Sequence, residues 1–257
     1  KDMIVNKGGA LSVNIMYATT DFMDLVHASI EAGIDVIIFG AGFSRDIFEV
    51  AKGTGVKIIP VVSSLKLAKI SQKLGADAIV VEGGNAGGHL GTEKDSWDIV
   101  GEIAENISIP VFGAGGVITP EDAERMLALG ADGVQMATRF ICTEECDADI
   151  KYKQAFINAK KGDIEIVKSP VGMPGRAIMT KLTERLKQDE RIPVKRCYNC
   201  LIPCDVKTTP YCISGALINA AKGNLDEGLV FSGSNGYRND KIISVKELMD
   251  ELKRGLK

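Results

Sequence analysis

The chain carries two histidines among its 257 residues. One of them, His89, lies in the run Glu82-Gly83-Gly84-Asn85-Ala86-Gly87-Gly88-His89-Leu90-Gly91. An imidazole near its ordinary pKa takes up or delivers a proton at neutral pH, which makes it the commonest acid or base set beside a reacting group. The glycines let the backbone close around a ligand, and Glu82 can accept hydrogen bonds from ligand hydroxyls. A loop histidine bonded only to backbone or solvent is the bland alternative. The loop that carries His89 follows the apolar run Ala78 to Val81 directly, at the carboxyl end of an expected strand, and that position favours chemistry. His27 belongs to the helical stretch beginning Asp21-Phe22-Met23-Asp24 and is expected to be structural.

A second glycine run, Gly113-Ala114-Gly115-Gly116, follows Pro110-Val111-Phe112 and leads into Val117-Ile118-Thr119-Pro120-Glu121-Asp122. Glycines bring amides close to a ligand, while Thr119 as cap and Pro120 at the first helical position start a helix cleanly. Phosphate groups bind where amides and a helix amino terminus converge. The next apolar run carries Gln135-Met136-Ala137-Thr138, whose amides and hydroxyl would face the same phosphate. A tight turn with no ligand is the alternative for either loop alone; the pairing of the two points to a phosphate site.

Four cysteines, Cys197, Cys200, Cys204 and Cys212, have spacing compatible with a zinc or iron–sulfur site. Reduced packing thiols are the competing reading, and Cys142 and Cys146 are expected to be structural. Disulfides are not expected, because a chain of this size can bury its own core and no secretory signal opens the sequence.

The elements that must hold these groups follow a regular order. Short apolar runs at Leu11 to Ile15, Asp35 to Phe39, Lys57 to Val62, Ala78 to Val81, Pro110 to Phe112 and Gly133 to Ala137 are each followed by helix-like sequence. They are too uniformly apolar to alternate inside and out, as expected of parallel strands. A weak repeat, Ala32-Gly33-Ile34-Asp35, Leu74-Gly75-Ala76-Asp77 and Leu129-Gly130-Ala131-Asp132, sits before three of them, with glycine placed to end a helix in the left-handed conformation. The fold class is α/β, a TIM (β/α)8 barrel, with an open doubly wound sheet as the alternative. Six strands are visible where a closed barrel has eight, so the first two are expected to be missing from this sequence. Residues 1–176 are expected to form the barrel domain with strands three to eight. Residues 177–257 are expected to form a helical extension that carries the cysteines. Helices are expected at Asp147 to Gly162, Ala177 to Gln188, Ile213 to Lys222 and Val245 to Lys253, with Ser169 to Arg176 as a loop over the barrel mouth.

A net charge of −3, with both signs interspersed, gives no basic field for nucleic acid or an anionic membrane. No apolar run is long enough to span a bilayer. The sequence therefore predicts a cytoplasmic protein with a small-molecule partner, and a homodimer is compatible with it.

The segments Glu82 to Gly91, Gly113 to Gly116 and Gly133 to Phe140, in this order and spacing, resemble the nitronate monooxygenase family, formerly called 2-nitropropane dioxygenases. Flavin-dependent type II enoyl-acyl carrier protein reductases share the pattern. The resemblance runs from about Leu11 through Arg176 and on toward the carboxyl terminus, and Ala86-Gly87-Gly88-His89 is its most specific part. It implies one FMN across the barrel mouth, with His89 as the catalytic acid or base. It also implies FMN contacts from Asn14, Glu82, Gly87, Gly115, Gly116, Gln135, Met136, Ala137 and Thr138. The sequence departs from the family in having Ala137 where glycine is usual and in lacking the family's amino-terminal Gly-Gly-Met strand.

Three functions are compatible with that resemblance. They are oxidation of alkyl nitronates with O2, NAD(P)H-dependent reduction of an enoyl thioester on an acyl carrier protein, and flavin binding without turnover. An exposed basic patch would mark the carrier-protein reductase. Lys181, Arg185, Lys187, Arg191, Lys195 and Arg196 are its candidates, diluted by Glu184, Asp189 and Glu190.

Overall fold

The computed structural model describes residues 9–255. Six parallel strands form its main sheet: β1 (Ser12–Met16), β2 (Val36–Gly40), β3 (Lys57–Val62), β4 (Ile79–Glu82), β6 (Val111–Ala114) and β7 (Gly133–Gln135). Their spatial order follows the chain, β1-β2-β3-β4-β6-β7. This is the order of a (β/α)8 barrel and not of a doubly wound sheet, which reverses direction at a switch point. Between them run α1 (Phe22–Glu31), α2 (Asp46–Ala51), α3 (Leu65–Lys73), α4 (Ser96–Ala104) and α5 (Pro120–Ala128).

The two faces of the sheet differ in what covers them. Ile15, Ile37, Phe39, Ile58, Val62, Ile79, Val81 and Val111 are buried in one core with Phe22, Val26, Ile47, Phe48, Ile99, Ile103 and Met126 of the helices. The alternate residues Ser12, Val36, Ile38, Ile59, Val80 and Phe112 face a concave space of about 570 Å³, which is also lined by Met249 and Leu252. Among the described residues β1 and β7 are the edges of this arc, so six of a barrel's eight strands are accounted for. The strands were uniformly apolar in sequence because both faces are lined by apolar side chains.

The Gly-x-Asp repeat has a specific mechanical role. Gly33, Gly75 and Gly130 take positive φ of 70°, 88° and 93° and end their helices. The aspartate two residues on then turns back to the start of a neighbouring strand. Asp35 accepts from Leu11 N at 2.8 Å, Asp77 from Ile58 N at 2.9 Å and Asp132 from Val111 N at 2.8 Å. Each carboxylate pins an amide at or beside the start of the adjacent strand and so helps to fix the parallel register. Asp132→Ala is expected to lower unfolding free energy by about 1.5–3 kcal/mol, the scale of a hydrogen bond to a charged group, measured by urea denaturation.

A small antiparallel sheet, not expected from the sequence, stands at the carboxyl end of the barrel arc. It comprises β5 (Gly88–His89), β8 (Ile164–Val167), β9 (Gly175–Ile178) and β10 (Val230–Phe231), with β9 paired to all three others. Residues 177–178, read as the start of a helix, are therefore strand, and the expected boundary at 176/177 falls inside β9. The remaining helices are α6 (Thr138–Ile141), α7 (Ile150–Asn158), α8 (Lys181–Lys187), α9 (Ile213–Ala221) and α10 (Val245–Gly255). The expected helix from Asp147 is shorter than predicted and gives way to a 3-10 turn at Lys161–Asp163 before β8. Among the described residues no helix is long and apolar enough to cross a membrane.

Candidate active site

The carboxyl end of β4 delivers Glu82, and the glycine run that follows folds back under three constraints. Asn85 Oδ1 accepts from Ser96 N at 2.7 Å at the start of α4, and Ser96 Oγ accepts from Asn85 N at 3.3 Å. Arg176 of β9 donates through Nη1 to the carbonyl of Gly84 and, at 3.1 Å, to that of Ala86. The pairing of Gly88 with Arg176 and of His89 with Gly175 then fixes the end of the loop as β5. Glycine is required here by close approach: a Cβ on Gly87 would stand 2.5 Å from the Ser232 carbonyl carbon.

His89 is half-buried. Its Nε2 lies 2.7 Å from Ser169 Oγ, and its ring meets Phe231 edge-on at 5.2 Å. Burial lowers its pKa below the ordinary imidazole value, so the neutral base is the dominant form at physiological pH.

Beside it opens a cavity of about 320 Å³, at the lower end of the range for small-molecule sites. Glu82, Gly87, Gly115, Gly116, Gln135, Met136, Ala137 and Thr138 all line it. They are eight of the nine positions singled out in the sequence for cofactor contact. The ninth, Asn14, is exposed on β1; it is in register with Ile38 on the concave face of the sheet and outside this cavity. His89 does not line the cavity itself; its neighbours Gly88 and Phe231 do.

Gly115 and Gly116 take φ of 95° and 86°. Their N–H groups, and that of Ala137, donate to no protein acceptor among the described residues. The α5 amino terminus, expected to share in phosphate binding, is closed instead. Asp122 Oδ2 accepts from Ile118 N and Thr119 N at 2.9 Å each, and Thr119 caps the Asp122 amide in return. Asp122 is further paired with Arg238 at 2.9 Å. The free amides of the site are thus those of the glycine turn and of Ala137.

Glu82 is half-buried in the lining of this cavity, and desolvation pushes its carboxyl pKa up to about 7. The folded state therefore holds this proton between the ordinary carboxylate range and about pH 7, where the unfolded chain has lost it. In flavin-free protein, stability from this group should be greatest below pH 4.5 and fall as pH rises toward 7, by of order 3 kcal/mol. Glu82→Gln should flatten that slope and stabilise the protein at pH 8, as read by thermal melts across pH.

Sequence reasoning missed the segment Phe231 to Asn235, which closes the cavity's remaining side. Gly233 N donates to Thr138 Oγ1 at 3.1 Å, Asn235 Nδ2 to Gly116 O at 2.8 Å and Ser234 N to Asn85 O at 3.0 Å. Its signal was present: Leu229-Val230-Phe231 runs into Ser-Gly-Ser-Asn-Gly, the same apolar-run-into-glycine pattern as the two recognised loops.

The cysteines are not brought together as their spacing predicted. Among the described residues no group of three or more His, Cys, Asp or Glu side chains is placed to hold a metal. Cys197 is exposed, and Cys200 and Cys204 pack against the apolar cluster of Leu182, Leu201, Tyr211 and Ile213. Cys200 Sγ also accepts from Ser214 Oγ at 3.0 Å. The run is held as a strap by the β1–α1 loop, where Ile202 N reaches Ala18 O at 3.0 Å.

The candidate basic patch is largely spent on internal partners. Lys181 pairs with Asp226 at 2.6 Å, Arg185 with Glu190 at 2.6 Å, Lys187 with Glu165 and Lys195 with Glu227 at 4.0 Å. Arg191 donates to the carbonyls of Thr209 and Val206, while Arg196 stacks on Tyr198 at 5.1 Å.

Comparison with known proteins bears on the family and the fold. The family model described as nitronate monooxygenase matches residues 4–255. A "Probable nitronate monooxygenase" of Staphylococcus aureus (strain Newman) is 34% identical over 171 residues, covering 63% of this chain and 48% of the relative. One from Staphylococcus saprophyticus is 28% identical over 184 residues, with 67% and 52% covered. The chain spans about half the length of the curated relatives it matches. Among solved structures, FabK from Thermotoga maritima superposes with a TM-score of 0.84 at 30% identity, covering 95% of this chain and 75% of that one. The nitroalkane oxidase from Streptomyces ansochromogenes, at 19% identity, shares the fold with a TM-score of 0.78, covering 97% of this chain and 81% of its own.

Proposed function

The chain belongs to the nitronate monooxygenase family, and on that premise we propose that it is an FMN-dependent oxidoreductase that oxidises alkyl nitronates with O2, with His89 as the acid or base beside the flavin. The observation that carries this reading is the convergence of eight expected cofactor positions on one cavity next to His89. That cavity's chemistry suits FMN. The free amides at Gly115, Gly116 and Ala137 suit a phosphate, and glycine is needed to present the first two, because a Cβ at Gly115 would strike Ser96 Oγ at 2.5 Å and one at Gly116 would press on Asn85 Cβ at 3.0 Å. Glu82 in the cavity lining suits the sugar-like hydroxyls of the ribityl chain.

When bound, FMN supplies the electron acceptor for the nitronate and the electrons that reduce dioxygen. The protein's own work is positioning and proton control. Amides at Gly115, Gly116 and Ala137 would hold the phosphate and Glu82 would meet a hydroxyl, while Phe231 and Gly233 wall the cavity's remaining side. His89, held neutral by burial, takes a proton at a ring nitrogen or returns it.

Reduction of an enoyl thioester with NAD(P)H is the second reading, favoured by the 30% identity to FabK over 95% of the chain. Acidic neighbours at Lys181, Arg185, Lys187 and Lys195 dilute the positive potential that a carrier-protein surface would present, which disfavours it. Flavin binding without turnover is the third. The test is oxygen uptake with propyl nitronate, run beside anaerobic bleaching of the flavin by NADPH with an enoyl thioester. Oxygen uptake without enoyl turnover is the expected result. NADPH-dependent enoyl turnover with no nitronate oxidation would transfer the proposal to the reductase, and neither activity would leave the binder.

A further inference from the structure

Tyr152, in the first turn of α7, lines the same cavity as Glu82 and the glycine turn, and nothing proposed above uses it. Its ring is fixed by packing: it meets Phe156 edge-on at 5.4 Å and lies with Ile141 against the apolar cluster of Cys142, Phe156 and Ile178. Its hydroxyl has no such anchor. Among the described residues no backbone or side-chain group bonds to it, although a phenol that is mostly buried ordinarily finds a partner. Nor is that oxygen sealed inside the protein, since Asn239 Oδ1 is the enclosed side-chain polar atom that the described residues leave without a partner. The Tyr152 oxygen therefore keeps accessible surface, on a residue that forms the cavity wall.

Tyr152 stands at the end of the cavity that offers donors to a phosphate. Helix α7 packs against the turn Gly236–Arg238, and a Cβ on Gly236 would lie 3.2 Å from Thr138 Cγ2. Ile141 lies one turn beyond Thr138 on α6, and Asn235, beside the same turn, donates to Gly116 O at 2.8 Å. The donors gathered at this end are neutral. Among the described residues no Lys or Arg lines the cavity. Arg139 directs Nη1 to the carbonyls of Cys142 and Lys241, and Arg238 is paired with Asp122. A phosphate held without a cation depends on each neutral donor, and a hydrogen bond to an ionised acceptor is about twice as strong as one between neutral groups. Desolvation pushes the Tyr152 pKa up to about 12, so the phenol keeps its proton at physiological pH.

We propose that the Tyr152 hydroxyl donates a hydrogen bond to the flavin's terminal phosphate and so helps the site to select FMN over unphosphorylated riboflavin. The inference rests on the FMN reading of this cavity and adds to it a side-chain donor from α7.

The test is titration of flavin-free protein with FMN and with riboflavin, followed by fluorescence quenching, in the parent and in Tyr152→Phe. Phenylalanine keeps the ring and its contact with Phe156, so the hydroxyl alone is removed. FMN affinity is expected to fall by about tenfold or more, the scale of a hydrogen bond to a charged group. Riboflavin affinity and the melting temperature of the flavin-free protein should stay unchanged, and the phosphorus NMR signal of bound FMN should shift between parent and variant. Equal losses for the two flavins would make Tyr152 a wall residue only, and an unaltered preference for FMN would mean that the phosphate takes no bond from it; either result overturns the inference. Failure of the underlying reading looks different: a parent that binds neither flavin, or binds FMN no better than riboflavin, overturns the phosphate site itself before any substitution is made.

Discussion

His89→Ala is expected to lower kcat by about 10²- to 10⁴-fold, the usual worth of a general acid or base, while the protein keeps its flavin. The two effects separate because His89 adjoins the cavity without lining it; the cavity is closed there by Gly88 and Phe231. A loss of flavin in the variant would instead mean that the imidazole holds the cofactor. The parent's pH profile should agree. Since burial lowers the pKa of His89, the basic form persists below the ordinary imidazole value of 6.5 and is lost only as pH falls through the lower folded value. The acid limb of kcat/KM should therefore lie below pH 6.5 and vanish in His89→Ala. Stopped-flow flavin reduction and steady-state oxygen uptake across pH check both points.

Gly115→Ala is expected to weaken FMN binding by about 10²-fold. The added Cβ would meet Ser96 Oγ at 2.5 Å and Ala86 N at 2.9 Å, and φ of 95° is strained for any L side chain. Ser96 is itself bound to Asn85, so it cannot withdraw without loosening the loop that carries His89. The left-handed strain of about 1–2 kcal/mol lowers stability, while the displaced amide, worth about 1.5–3 kcal/mol toward a charged phosphate, accounts for the loss of affinity. Gly75→Ala provides the control, because Gly75 has a similar φ of 88° with open space around it and lies away from the cavity. It should cost about 1–2 kcal/mol of stability and leave FMN affinity unchanged. Quenching of FMN fluorescence on titration with protein measures both.

The barrel arc could be read from sequence because each strand is an apolar run bounded by glycine, and these are local patterns. Lys57–Val62 was read to the residue, and the other five strands were found with their ends shifted. The Gly-x-Asp repeat was seen as turn punctuation. The reach of Asp35, Asp77 and Asp132 to neighbouring strand amides was not, since that partner is fixed only once the sheet has formed. The antiparallel sheet escaped for a related reason: β5 and β10 are two residues long, and no periodicity exists at that length. Arg176, which holds the Gly84 and Ala86 carbonyls, was read only as the end of a loop because its partners are about ninety positions away.

The cysteines show the reverse error. Their spacing satisfied a local rule, but the run is tied to the β1–α1 loop through the bridge between Thr19 and Leu201, and Cys200 and Cys204 pack into the apolar cluster there. Asn14 was assigned by resemblance alone, and its exposed position on β1 is the part of the cofactor reading with least support from this cavity.

The central claim is that the cavity between the glycine turn, Glu82 and Thr138 holds FMN. The most direct measurement is the absorption spectrum of the purified protein, followed by identification of the chromophore released on denaturation. The account predicts flavin bands in the native protein, one FMN released per chain and a lower flavin content in Gly115→Ala. A folded protein without flavin bands that also fails to quench added FMN would contradict it.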